Sequence, residues 1–380
     1  MAAPTDRRRV LLATVTPLAS IFGSGFLIIV PALERTLGAL AIFGVVAISA
    51  LAWAAGTATR HCVRVVEPLS DRGELDPTTA RLERLGDAVI VAAYVISVAL
   101  YLRIMAAYLV DFATADGSAA AERIIACATV ALIVGVGITR GFRGLDLLER
   151  IGLAVVLAIT TAIGATLLID GGRALLDSGA TLPPIPDKGF GEVLLVLGGT
   201  VITVQGFETI RYLGDEYDAE TRVWASRVAQ AIAASIYVGF VAVATPLMGI
   251  GTEAGADATL LDVIDRVAPL LALPLVVTAV LSQFSAATAD TVAAEGNLSG
   301  LSKRMRGARS YLLSGAVAIA LAATVATFPL IAIASRAFAA YYAVQAVVAL
   351  RTATGPARKL GYGALAVVMA AITLLAMPAG

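Results

Sequence analysis

"SIFGSGFLIIVPALE", Ser20–Glu34, sets Gly23, Ser24 and Gly25 in the middle of an apolar run and Pro31 near its end. Glycine inside a helix costs about 1 kcal/mol relative to alanine. In lipid, any loosened backbone group must find another partner. Two readings compete. Small residues let a neighbouring helix approach closely, or the helix is interrupted there to hold a ligand. The choice turns on whether the run spans a membrane and whether a second interrupted run answers it elsewhere.

The first condition is met by composition. Hydrophobic residues make up 59% of the 380 residues and charged ones 15%, against roughly 45–50% and 25% in soluble domains. Mean hydropathy is +0.87, the mark of a polytopic membrane protein. Net charge is zero, so neither a basic face for nucleic acid nor an acidic tail is expected. Cys62 and Cys127 suggest neither a disulfide framework nor a zinc site. The leading "MAAPTDRRRV" resembles a signal sequence, but no A-x-A-like cleavage site follows it, so the first apolar run is read as a retained span.

Apolar stretches of about 20 residues mark eleven spans, all expected to be helices: Val10–Leu33, Leu37–Thr59, Gly86–Phe112, Ala119–Thr139, Leu145–Ile169, Gly191–Leu213, Ala225–Ile250, Ala268–Leu298, Tyr311–Thr327, Pro329–Leu350 and Tyr362–Met377. With the N-terminus inside, most of the 28 basic residues fall in connections on that side, as the positive-inside rule requires. The C-terminus is then outside. The expected location is a bacterial plasma membrane. Two outer loops are long. Asp170–Gly191 reads as irregular, and within Gly251–Pro269 the stretch Thr259–Val267 reads as a short surface helix.

A second interrupted run lies five spans later, in "LGGTVITVQGFETIRYLGDE", Leu197–Glu216. Gln205 and Glu208 flank Gly206 and Phe207 at mid-span, and a carboxylate at such depth is by default functional. Spans one to five (residues 10–169) and six to ten (191–350) then form two units of opposite orientation, as transporters built from inverted repeats require. Span eleven (362–377) is extra.

These motifs resemble those of the amino acid–polyamine–organocation (APC) transporters. "IFGSGFLIIVPA" looks like the first-helix signature of that family, and "GFETIRYLGDEYDAETRVWASRVAQAI" like its sixth. The resemblance covers about Val10 to Leu350. It implies a leucine-transporter-like fold: all-α, ten core helices in a 5+5 inverted repeat, with helices one and six broken and the substrate bound between the breaks. A half-helix N-terminus attracts an anion such as an amino acid carboxylate. The expected substrate site is therefore Phe22, Gly23, Ser24 and Gly25, with Thr203, Gln205, Gly206, Phe207 and Glu208. Tyr101 reaches it from the third span, and Phe207 is the candidate gate. The glycines are read as unwinding the first helix.

In the eighth span, Ala287, Asp290 and Thr291 stand at i, i+3 and i+4, on one helix face. The resembled fold uses this spacing, with carbonyls before the first break, for sodium. Here that set is Ala19, Phe22, Ala287, Asp290 and Thr291. Sodium coupling is the first expectation, and proton coupling through Asp290 or Glu208 the alternative. No other cofactor is expected.

An enzyme is disfavoured, because the chain has one histidine, His61, and no P-loop. The expected function is secondary active transport of amino acids, small and neutral ones first. A nucleobase or inorganic cation is the alternative substrate, and a channel or enzyme the remote one. The expected partners are the substrate and the bilayer.

Overall fold

The computed structural model describes residues 6–114, 118–140, 145–178, 182–248, 261, 264, 269–302 and 304–378. Each expected span coincides with a helix or, for the sixth, with short helical pieces. Among the described residues, the longer helices are α1 (Arg7–Leu37), α2 (Ala41–His61), α3 (Pro77–Ala113), α4 (Ala119–Arg140), α5 (Leu145–Ser178), α6 (Phe190–Gly199), α7 (Ala219–Met248), α8 (Ala272–Leu301), α9 (Ala308–Thr324), α10 (Thr327–Thr352) and α11 (Pro356–Leu375). After α6 come two 3-10 segments, Val201–Val204 and Phe207–Leu213. Among the described residues, eight helices are long and apolar enough to cross a membrane by length and composition. The chain is a polytopic helical membrane protein.

Two boundaries differ from expectation. The first half of the outer loop is not irregular, because α5 continues through Asp170 to Ser178. The stretch Thr259–Val267 lies outside the described residues, apart from the buried Leu261 and Ile264.

The helices pack with a recurring offset of five. α2 meets α10 as α7 meets α5, and α3 meets α10 as α8 meets α5. α1 meets α2 as the sixth-span segment meets α7. Two inverted five-helix units produce such a correspondence. α3 is the axis of the core, with 78% of its apolar window buried, whereas α11 is peripheral at 11%.

The sixth span is interrupted, but the first is not. α1 runs unbroken through Gly23–Gly25, which corrects the expected break. The reason lies in what the glycines face. A Cβ on Gly25 would stand 2.0 Å from Thr203 O, and one on Gly23 would stand 2.2 Å from Ala286 Cβ. Both glycines serve close approach, toward the sixth span and α8 respectively. Pro31 lacks the N–H that would bond Leu27 O in a helix, and the Tyr108 hydroxyl donates to that carbonyl at 3.3 Å.

The ends of the sixth span are tied to different neighbours. On the α6 side, Met377 N–H donates to Leu195 O at 3.0 Å. Arg336 of α10 donates twice to Ala376 O, at 3.0 and 2.6 Å. On the other side, Arg211 pairs with Glu67 at 3.3 Å and Glu83 at 2.6 Å. Arg222 of α7 pairs with Glu67 at 2.8 Å and donates to Ile210 O at 3.3 Å.

Candidate functional site

The interruption in the sixth span is built residue by residue. α6 stops at Gly199, and Val201–Val204 makes one tighter turn. Gln205 is extended, and Gly206 takes φ +124°, a conformation side chains rarely adopt. The freed backbone groups find partners, as burial in lipid demands. The Ser335 hydroxyl of α10 donates to Gly199 O at 2.7 Å and accepts from Ile202 N–H at 3.0 Å. Thr209 Oγ1 donates to Gly206 O at 2.7 Å. Glu208 Oε2 accepts from Gly206 N–H at 2.9 Å and from the Tyr342 hydroxyl at 2.8 Å.

This interruption presses directly on α1. A Cβ on Gly206 would meet Ile21 N at 2.6 Å and Ser20 C at 2.8 Å. The two segments thus cross backbone to backbone, with glycine on each side. The Tyr237 hydroxyl of α7 donates to Ile21 O at 2.7 Å, and Phe22 tilts against the Tyr237 ring. Gln205 Nε2 donates to Tyr101 Oη at 2.5 Å, joining α3 to the break. Phe207 stacks on Tyr342 with ring centroids 5.1 Å apart. In this conformation the crossing is closed over.

Asp290 stands beside the crossing on α8. Its Oδ2 meets the Ser97 hydroxyl of α3, which also bonds Tyr94 O at 2.8 Å. A hydroxyl has one proton to give, and the Tyr94 carbonyl can only accept. Both contacts are met when Asp290 brings a proton of its own. Glu208 and Asp290 are wholly buried, and Glu208 Oε1 and Asp290 Oδ1 have no hydrogen-bond partner among the described residues. Glu208 bears on Asp290 through space, and no ion pair joins either carboxylate to a guanidinium or ammonium among the described residues.

The anticipated substrate residues thus come together, although the side chain of Ser24 lies outside the described residues. The anticipated sodium ligands come from α1 and α8, which pack against each other. α1 meets α8 at Ser282 and Ala286, which leaves Ala19 and Phe22 on that side. Thr291 opens onto a cavity of about 10 Å³ shared with Val130, Val134 and Ser314 of α4 and α9. Its hydroxyl donates back to Ala287 O at 2.7 Å. Asp290 turns to α3.

Sequence reasoning did not single out Ser97, Tyr342, Ser335 or Tyr237. Ser97 had a signal of its own, since it lies between Tyr94 and Tyr101 on a helix with tyrosines every seven residues. The other three carried none, because each acts on a backbone group or side chain more than a hundred residues away.

Residues 4–376 match the family model described as APC superfamily transporter. The chain belongs to the APC superfamily. It is also 33% identical over 349 residues to an uncharacterized protein of Aquifex aeolicus (strain VF5), covering 90% of this chain and 84% of that one. Two crystal structures of the Eremococcus coleocola manganese transporter superpose on it with TM-scores of 0.61 and 0.63. One is in complex with an aromatic bis-isothiourea substituted compound, and the other is a mutant. Each comparison covers 98% of this chain and 88% of the other at 13% identity, a likeness of fold alone. As an APC superfamily transporter, the protein is an integral membrane protein that carries a small solute. Glu208 of the interrupted sixth span and Asp290 of α8 are both buried, and neither has an ion-pair partner among the described residues.

Proposed function

We propose that this protein is a proton-coupled secondary transporter of small neutral amino acids, working by alternating access with its N-terminus in the cytoplasm. The observation that carries the reading is the pair of buried carboxylates, Glu208 and Asp290, with no ion-pair partner among the described residues, at the crossing of α1 and the interrupted sixth span. A buried carboxylate among uncharged partners is far cheaper protonated than ionised. Loading a proton and releasing it on the other side therefore changes which packing of the crossing is stable, and such differential affinity is what coupling requires.

When α1 parts from the sixth span and opens its turn at Gly23–Gly25, backbone N–H groups near Ser24 and Gly25 become available to a substrate carboxylate, and carbonyls between Thr203 and Gly206 to its ammonium. The Glu208 carboxylate lies within the same crossing and adds attraction for the ammonium. Phe207, stacked on Tyr342, closes over the small side chain. A manganese-like cargo is less well supported. Among the described residues no three His, Cys, Asp or Glu side chains come together, and a divalent ion bound through protein oxygens calls for more ligands than that.

The test is uptake of radiolabelled alanine into proteoliposomes under separately imposed gradients. An inside-alkaline pH gradient should drive accumulation and a sodium gradient should not. Accumulation driven by sodium at equal pH would transfer the coupling role to Ala19, Phe22, Ala287, Asp290 and Thr291. Uptake of divalent cations without any amino acid would remove the substrate assignment.

A further inference from the structure

α2 and α7 meet, at the end of the bundle that carries the arginine-rich connections, around a cluster that the transport site does not use. Arg60 lies in the last turn of α2 and is only 4% exposed. Among the described residues its guanidinium bonds neutral acceptors only: Gln230 Oε1, Ser226 Oγ at 3.3 Å and Trp53 O at 3.2 Å. It also lies 5.0 Å from the centroid of the Trp53 ring, and that ring faces outward from the bundle. A buried guanidinium without an anion is costly.

The surroundings add positive charge. Arg227 acts on Arg60 more strongly than any other cation does, and Arg64 follows. Arg64 is paired with Glu220 at 2.6 Å on the exposed edge. Arg227 rests on the Trp224 ring, 5.2 Å from its centroid, and no carboxylate pairs with it among the described residues. Trp224 Nε1 is buried and has no acceptor among the described residues. Tyr362 of α11 closes the far side, its hydroxyl 3.5 Å from Thr57 O. The cluster therefore holds more cations than acids, together with an unsatisfied N–H donor.

The described residues leave this excess of positive charge without a counter-anion, and the setting selects the kind that fits. Trp53 and Trp224 stand where α2 and α7 leave the apolar layer, and tryptophan favours the headgroup level of a bilayer. Basic pockets between spanning helices suit anionic headgroups. We propose that the cleft between α2 and α7 at this end binds the headgroup of an anionic phospholipid. Arg227 and Trp224 Nε1 take the phosphate, Arg60 provides fixed positive charge behind them, and the outward face of Trp53 lies along the acyl chains.

The experiment uses the full-length protein in neutral detergent, with native mass spectrometry and thermal unfolding as readouts. Phosphatidylglycerol should stay bound and raise the unfolding midpoint, whereas phosphatidylcholine should do neither. Arg227→Gln should weaken phosphatidylglycerol binding about fivefold, the usual contribution of one basic residue near a charged leaflet. Trp224→Phe keeps the ring, loses the donor and should also weaken it. Arg306→Gln, an exposed arginine after α8, should leave binding unchanged. Equal loss in Arg306→Gln and Arg227→Gln would mean diffuse attraction and overturn the site. Full protection by inorganic phosphate alone would overturn the lipid, and equal retention of phosphatidylcholine would overturn both.

Discussion

Replacing Gly25 with alanine tests the closeness of the central crossing. The new methyl carbon would stand 2.0 Å from Thr203 O, 2.3 Å from its Cα and 2.4 Å from its Cβ. Ordinary contact begins at 3.4 Å, so the two segments must part by about 1.4 Å along the shortest of these lines. Overpacking a tight site costs about 1–3 kcal/mol. The nearest atoms here are backbone and cannot rotate aside, which favours the upper end of that range. Alanine recovers about 1 kcal/mol of helix propensity, leaving a net loss of about 2 kcal/mol. Gly239→Ala on α7 is the control, since nothing lies within 4 Å of its would-be Cβ, and it should be neutral or slightly stabilising. Thermal unfolding followed by circular dichroism reads both variants, and alanine uptake reads function. A Gly25→Ala protein that melts and transports like wild type would refute backbone contact between α1 and the sixth span.

Gly23→Ala should destabilise similarly, but here the nearest atom is the Ala286 Cβ at 2.2 Å, so Ala286→Gly in the same chain should restore most of the melting temperature. Lack of any rescue would mean that the two helices do not meet there. Glu208→Gln should lower uptake more than tenfold while moving the unfolding midpoint little, because one amide oxygen can still accept from Tyr342 and Gly206. Normal uptake with a lowered midpoint would instead assign Glu208 a purely structural role. Asp290→Asn should abolish the response of uptake to an imposed pH gradient, and an unchanged response would place the proton elsewhere. Arg211→Gln should cost about 3 kcal/mol, the low end for breaking a buried pair, because Glu67 and Glu83 are only partly exposed; wild-type unfolding would show that the pairs contribute nothing. At the start of α3, hydrogen bonds from Thr79 and then the Arg351 guanidinium hold the Asp76 carboxyl at about 2, below its ordinary 3.8. Its contribution to stability is therefore present above pH 3.8 and lost as pH falls through about 2. Asp76→Asn should flatten the pH dependence of the midpoint over that window, and an unaltered slope would show that Asp76 is not coupled to folding.

The spans were legible because length and hydropathy act locally. A run of apolar residues long enough to cross a bilayer needs no knowledge of its neighbours. The sixth-span interruption was also legible, since Gly206 stands between two polar side chains that a plain spanning helix would not place at its centre. The first span was misread for a physical reason. Gly23-Ser24-Gly25 is compatible with an unwound turn and with a tight helix crossing, and the deciding atoms belong to Thr203 and Ala286. The site was legible in its carboxylates but not in their partners. Helical spacing put Asp290 on one face with Ala287 and Thr291, but it carried no sign that Ser97 of α3 would meet its carboxyl. Spacing on one helix states which side chains share a face, and packing decides what that face meets.

The separate moorings of the sixth span bear on how force travels through the molecule. No helical hydrogen bond runs across Gln205 and Gly206, so the backbone there cannot carry axial load as a continuous rod does. A pull on the Arg211 side is resisted by Glu67 and Glu83. A pull on the α6 side is resisted by Met377 N–H on Leu195 O and, through Ala376, by Arg336. The span is thus two short levers sharing one pivot at Gly206. Breaking the ionic mooring frees one lever while the amide mooring still holds the other in place.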